Sequence, residues 1–155
     1  MDEYLDFTLF SSVALAGFLG GLIGFERELH DKPAGLRTHI FVSAGAALLM
    51  LLAEESFNFF VVQSRQGLVQ ADPIRVIQAI IVGISFLGAG TIVHDRGANV
   101  EGLTTAASIF FTAGIGIAVA VGKTALAVQT TILALAVLFV IGWGERRWMD
   151  SKEKD

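Results

Sequence analysis

No cysteine occurs in this chain. That absence removes disulfides, thiolate metal sites and thiol nucleophiles together. Proline is nearly missing as well: Pro33 and Pro73 are the only two, and each falls beside an expected loop–helix junction. Charged residues make up 17% of the chain, against about 25% in a soluble domain. The net charge of −4 and the lack of a basic patch leave no face suited to nucleic acid. The N-terminus, MDEYLDF, lacks the positive n-region of a secretory signal, so the first apolar run reads as a retained span. No HExxH, GxSxG or Walker loop is present, and no enzymatic activity is expected. Gly83-Ile84-Ser85-Phe86 faintly resembles the GxSx of intramembrane serine proteases, with His39 or His94 as the base it would need. Ser85 is more simply a small packing residue. His30, His39 and His94 lack a metal-ligand spacing and are expected at surfaces or interfaces.

Apolar residues are abundant. They make up 54% of the chain, the mean hydropathy is +0.65, and the excess lies in long blocks. Seventeen glycines are present, many inside those blocks, a pattern common in membrane helices and costly in soluble ones. Five spans can be read: Phe7–Phe25, Arg37–Ala53, Ile74–Val93, Leu103–Val121 and Thr124–Trp143. Each approaches the ~20 residues that cross a bilayer core. The expectation is an all-α polytopic membrane protein surrounded by lipid. A five-helix domain fills residues 1–145 and a short charged tail fills 146–155. Strand alternation persists nowhere, which argues against a β-barrel.

Orientation follows from Lys and Arg. With the N-terminus outside, eight of the eleven (Arg27, Lys32, Arg37, Arg96, Arg146, Arg147, Lys152 and Lys154) are cytoplasmic. Arg65, Arg75 and Lys123 are external. Trp143 and Trp148 fit an interfacial anchor beside a cytoplasmic tail. The segment Glu54–Pro73 reads as the longest loop, with SFNFFVV flat on the membrane surface. Asp72-Pro73 reads as a helix start, Asp capping free N–H groups and Pro at the first helical position.

The first span carries Ser12, Ala16, Gly20 and Gly24 at four-residue spacing, with Gly17 and Gly21 on the adjoining ridge. Such faces let helix backbones approach closely in lipid. Part of this face is expected to serve self-association into a homo-oligomer. The third span places Arg75, Gln78, Ser85 and Ala89 on one face, and the fourth places Thr105, Ser108 and Thr112 on another. Two readings stand for these stripes: a water-filled path, or hydrogen bonds between neighbouring helices. Gln129 reads as an interhelical bond. No carboxylate is placed near the bilayer centre, which weakens a proton-coupled pump.

The densest charge lies in GFERELHDKPAGLRTH, Gly24 to His39. Glu26 follows Phe25 at the end of an apolar run and is the carboxylate expected to be partly buried. We expect it to pair with Arg37 or Arg96 and lock two cytoplasmic turns together; solvated, independent charges are the alternative. Glu26, Glu28 and Asp95 are weak candidates for a cation such as Mg²⁺, which takes carboxylate oxygens. No cofactor is otherwise expected.

Three blocks in order carry a family resemblance: GGLIGFERE with KPAGLRTH, DPIRV with GISFLGAGTI, and NVEGLTTAAS. Together the chain resembles the membrane domain of the MgtC/SapB family over Gly17 to about Val121. The resemblance implies a bacterial inner-membrane protein of about five helices, linked to magnesium limitation and to virulence. It implies a regulator acting through membrane protein partners, with a small transporter or channel for Mg²⁺ or another ion as the alternative. Glu26, Arg27, Arg37, Asp72, Arg75 and Asn99 fall on its motif positions, with the run Phe86–Gly90. Thr104 and Thr105 stand in its third block, and Gly88 and Gly90 join the packing glycines. Ser85 stands where the family usually has Gly, and Glu101 where it usually has Arg. Many members continue into a soluble C-terminal domain, and this chain stops at Asp155.

Overall fold

The computed structural model describes residues 2–63, 72–94 and 100–152, with side chains over 7–59, 72–92, 101–140 and 142. Five helices follow in order: α1 (Asp2–Leu29), α2 (Leu36–Gln63), α3 (Pro73–Thr91), α4 (Leu103–Ala120) and α5 (Thr124–Lys152). Between α3 and α4 lies a two-residue antiparallel pair, β1 (Val93–His94) with β2 (Val100–Glu101), in the register Val93 to Glu101 and His94 to Val100. The protein is thus all-α, as its composition requires. Four stretches are long and apolar enough to cross a membrane: Phe7–Leu29, Leu36–Phe59, Pro73–Thr91 and Leu103–Ala120. A shorter apolar stretch, Thr124–Val140, belongs to α5.

Three helices run past their expected ends. α2 does not stop at Ala53 but continues through SFNFFVV to Gln63, so that segment is helix and not a surface loop. The reason is local. No Pro or Gly follows Gly45 in this stretch, and Glu54-Glu55 interrupts the hydropathy but not the helix propensity. α1 likewise starts at Asp2, and α5 runs on to Lys152. The start of α3 is as expected: Asp72 accepts from the Ile74 N–H at 3.0 Å and Pro73 takes the first turn.

The connections are short. Gly122 turns α4 into α5 at φ 74°, with the Lys123 N–H bonded to the Ala118 carbonyl at 2.8 Å. α1 packs on α2, α4 packs against both, α3 packs on α4 and α2, and α5 packs on α4 and α1. One core cluster joins Ala16, Leu19 and Ile23 of α1 to Ile115 and Val119 of α4 and Ala127 of α5. A second joins Val42 and Ala46 of α2 to Ile80 of α3 and Ile109 and Ala113 of α4. α3 is the least enclosed helix: among its residues only Ile80 and Gly88 are buried.

Candidate functional site

The small residues of α1 set the site. A Cβ on Gly20 would stand 2.6 Å from the His39 carbonyl oxygen, 2.6 Å from Ser43 Cβ and 3.0 Å from Thr112 Cγ2. A Cβ on Gly24 would stand 2.8 Å from the Gly35 carbonyl, from His39 Cβ and from Leu36 Cα. On α4, Gly116 abuts the Ser43 carbonyl. Backbone therefore meets backbone where α1, α2 and α4 converge, as packing in lipid favours. The face that the sequence offered to a second copy is occupied here by the chain's own α2 and α4. A Cβ on Gly17 would meet Ala44 and Ile40, one on Gly21 would meet Ile40, and one on Gly88 would stand 3.5 Å from Ala106 Cβ. A Cβ on Gly90 would meet nothing within 4 Å among the described residues, so Gly90 does not mark a close helix contact there.

Polar side chains line this seam. His39, Ser43 and Thr112 are 0% exposed, and Thr105 and Ser108 are also buried. His39 was expected near a surface or interface; instead both its ring nitrogens are used inside the bundle. Nδ1 lies 2.9 Å from the Gly35 carbonyl, which can only accept, so Nδ1 carries a proton. Nε2 lies 3.1 Å from Ser108 Oγ, tying α2 to α4. Ser108 Oγ lies 2.9 Å from the Thr105 carbonyl as well, so its single proton is shared between that carbonyl and Nε2. The Ser43 and Thr112 hydroxyls are buried with no hydrogen-bond partner among the described residues, although such groups are nearly always paired. Periodicity does contain a signal for His39. It shares one α2 stripe with Ser43, Ala46, Ala47 and Met50, all buried.

At the end of α1, Glu26 and Arg27 are both buried. Arg27 Nε donates to Glu26 Oε2 at 2.7 Å and Nη2 donates to Oε1 at 3.1 Å. His30 adds Nδ1 at 3.1 Å from Oε1 and 2.8 Å from the Glu26 carbonyl. The partner of Glu26 is thus its neighbour Arg27, not Arg37, which is exposed. Arg96, the other partner proposed from sequence, lies outside the described residues, as do Asn99 and Asp95. Adjacent helical residues do not normally face each other. Here the Arg27 fork folds back onto the carboxylate, a fit between a planar guanidinium and two oxygens. The available signal was His30, four residues beyond Glu26 on the same face.

The remaining candidates are structural or exposed. Glu28 reaches across the turn and accepts the Leu36 N–H at 2.8 Å, capping α2. Asp72 and Arg75 form an exposed pair at 3.4 Å at the start of α3. Thr104 and Glu101 are exposed, and Thr105 is buried. The α4 stripe Thr105–Ser108–Thr112 does face the bundle. The α3 stripe does not: Arg75, Gln78, Ser85 and Ala89 all point outward. Gln129 is exposed too, with no interhelical bond among the described residues. Ser85 is exposed on α3 while His39 bonds Ser108, so the protease-like pairing of Ser85 with His39 does not form. Among the described residues no group of three His, Asp or Glu side chains is placed to hold a metal. Glu26 is engaged by Arg27 and His30, and Glu28 by a backbone N–H.

Apolar helices of spanning length, tied by small residues and a buried polar seam, define a polytopic membrane protein. The profile of the MgtC family matches residues 13–147, and the chain belongs to that family. It is similar to "Putative magnesium transporter YhiD" of Escherichia coli strain K12, 39% identical over 126 residues, 81% of this chain and 57% of that protein. "Protein MgtC" of Brucella abortus strain 2308 is 40% identical over 129 residues, 82% of this chain and 49% of that protein. "Protein SapB" of Bacillus subtilis strain 168 is 31% identical over 147 residues, 95% of this chain and 62% of that protein. The chain thus spans about half to three-fifths of the length of these relatives. No solved structure matches it.

Proposed function

We propose that the protein is a non-catalytic membrane regulator linked to magnesium limitation and stress or virulence adaptation in the bacterial inner membrane, acting by contact with other membrane proteins. Family membership and the names of the relatives support the link to magnesium. The observation that carries regulation over transport is the closed seam. Where α1, α2 and α4 meet, Gly20, Gly24 and Gly116 put backbone against backbone, and an ion path there would first have to part the helices. The buried charges at the end of α1 neutralise one another and offer no free carboxylate to a passing cation.

A second reading, a small Mg²⁺ or other ion transporter, draws on two observations. One is the printed name of the Escherichia coli relative. The other is the pair of unpartnered hydroxyls, Ser43 and Thr112, at the heart of the seam. Magnesium flux into vesicles holding only the pure protein separates the two. Regulation expects uptake no faster than in protein-free vesicles, together with a membrane complex that co-purifies with the tagged chain. Selective Mg²⁺ uptake that is lost in Ser43→Ala or Thr112→Val would establish transport instead.

A further inference from the structure

Hydrocarbon offers no hydrogen-bonding partner, so a polar side chain facing lipid marks a surface that something covers. Two glutamines stand in that position. Gln78 is exposed on α3, within the span Pro73–Thr91. It shares the outward face with Val82, Ser85 and Phe86, while Ile80 and Gly88 face the bundle. Gln129 is exposed on α5, two residues from Ala127 and two from Thr131, both buried against the bundle. At about 100° per residue it points away from them. Each amide carries two N–H donors and a carbonyl acceptor. Neither has a hydrogen-bond partner among the described residues.

Their depths match. α4 runs antiparallel between α3 and α5, so α3 and α5 begin at the same membrane face. Counting from Pro73 and from Thr124, Gln78 and Gln129 are each the sixth residue of their helix. At 1.5 Å per residue both lie about 7.5 Å below the helix start. Their positions in the bundle are opposed. α3 lies against Ala106, Ile109 and Ala113 of α4, and α5 against the side bearing Ile115 and Val119. No amide on one flank can reach the other within one chain.

We propose that the protein assembles head to tail with copies of itself, α3 of one packing on α5 of the next so that Gln78 bonds Gln129. A two-fold contact of α3 on α3 would pair Gln78 with its copy and leave both Gln129 amides bare. The head-to-tail contact pairs both kinds, and it generates a ring where the rotation closes. Ser85 and Ala89 follow Gln78 on the α3 face, and Ala125 and Ala136 flank Gln129 on the α5 face, so small residues alternate there with larger ones such as Val82 and Phe86. This face is distinct from the α1 ridge. It rests on membrane insertion alone, and holds whether the protein regulates or transports.

The missing cysteines make the test clean. Full-length chains carrying Gln78→Cys with one tag and Gln129→Cys with another are co-expressed, and membranes are treated with a lipophilic copper oxidant. The expected product is a cross-linked species carrying both tags, several-fold stronger than from either variant expressed alone. Pairing Gln78→Cys with Val140→Cys, on α5 but far from that depth, should give little. Self-cross-linking of Gln78→Cys equal to the mixed pair overturns the proposal, as does the absence of any mixed product. Membrane fractionation of each variant separates these outcomes from a failure to insert. Particle mass in lipid nanodiscs gives a second readout. The unsubstituted chain should exceed one copy and Gln129→Leu should fall toward one; equal masses would count against the seam.

Discussion

Glu26 and Arg27 show what one buried pair does to a helix end. Each is nearly sealed from water, and each satisfies the other through two bonds. Removing one partner strands a buried charge, which costs ~3–5 kcal/mol. Glu26→Gln and Arg27→Gln should each lower the thermal midpoint in detergent markedly, while the double variant loses less than the sum. Arg37→Gln, on an exposed side chain, should be nearly silent. If Arg37→Gln matches Arg27→Gln, the pairing described here is wrong. The two unpartnered hydroxyls predict the opposite sign. Ser43→Ala and Thr112→Val remove groups whose burial costs ~1–3 kcal/mol each when unpaired, so both should hold or raise the midpoint. A drop of similar size would mean that a bound water satisfies them. Sequence made the burial of Glu26 legible, because it ends an apolar run. Its partner was not legible, since neighbours on a helix ordinarily diverge and the Arg27 fold-back depends on the space around it. His39 was misplaced because a histidine near a helix end reads as solvated, whereas its stripe with Ser43 and Ala47 points into the bundle.

At the scale of elements, the glycines divide by what surrounds them. At Gly20 and Gly24 an added methyl meets main chain, which cannot swing away as a side chain can. Gly20→Ala and Gly24→Ala should therefore cost ~1–3 kcal/mol or more by overpacking and separate α1 from α2. At Gly114, also in a helix, an added Cβ would meet nothing within 4 Å among the described residues, and Gly114→Ala should gain up to ~1 kcal/mol through helix propensity. Comparing the thermal midpoints of these three variants checks the assignment; a harmless Gly20→Ala would rule out the close seam. Asp72→Ala should cost ~0.5–2 kcal/mol by uncapping α3. The existence of the five helices was legible from apolar blocks, and the α3 start from Asp72-Pro73. Helix ends were not, because the chain of α2 stays helical after it stops being uniformly apolar. Nor was the direction of the α3 stripe. A period of 3.6 defines a face, but it does not say whether that face meets the chain's own helices or another surface.

For the whole molecule, the number of crossings fixes which ends share a compartment. α4 spans Leu103–Ala120, and a short turn at Gly122 sends α5 back beside it. The apolar part of α5, Thr124–Val140, is shorter than the other spans, yet the helix itself continues to Lys152. Twenty residues of α5 rise about 30 Å at 1.5 Å each, so the helix regains the level of Leu103 well before its end. α5 is therefore long enough for a fifth crossing, which would return its end to the face where α1 turns into α2. With eight of the eleven Lys and Arg on that face, it should be the cytoplasmic one. Reporter fusions after Lys32 and after Asp150 should both read as cytoplasmic, and a fusion near Gln66 as external. A fusion after Asp150 that disagrees with the one after Lys32 would mean α5 lies along the membrane without crossing it. Agreement between those two with the sign reversed would keep the five crossings and invert the orientation. The Gln78–Gln129 seam would then lie in the opposite leaflet, with its depth and its partners unchanged.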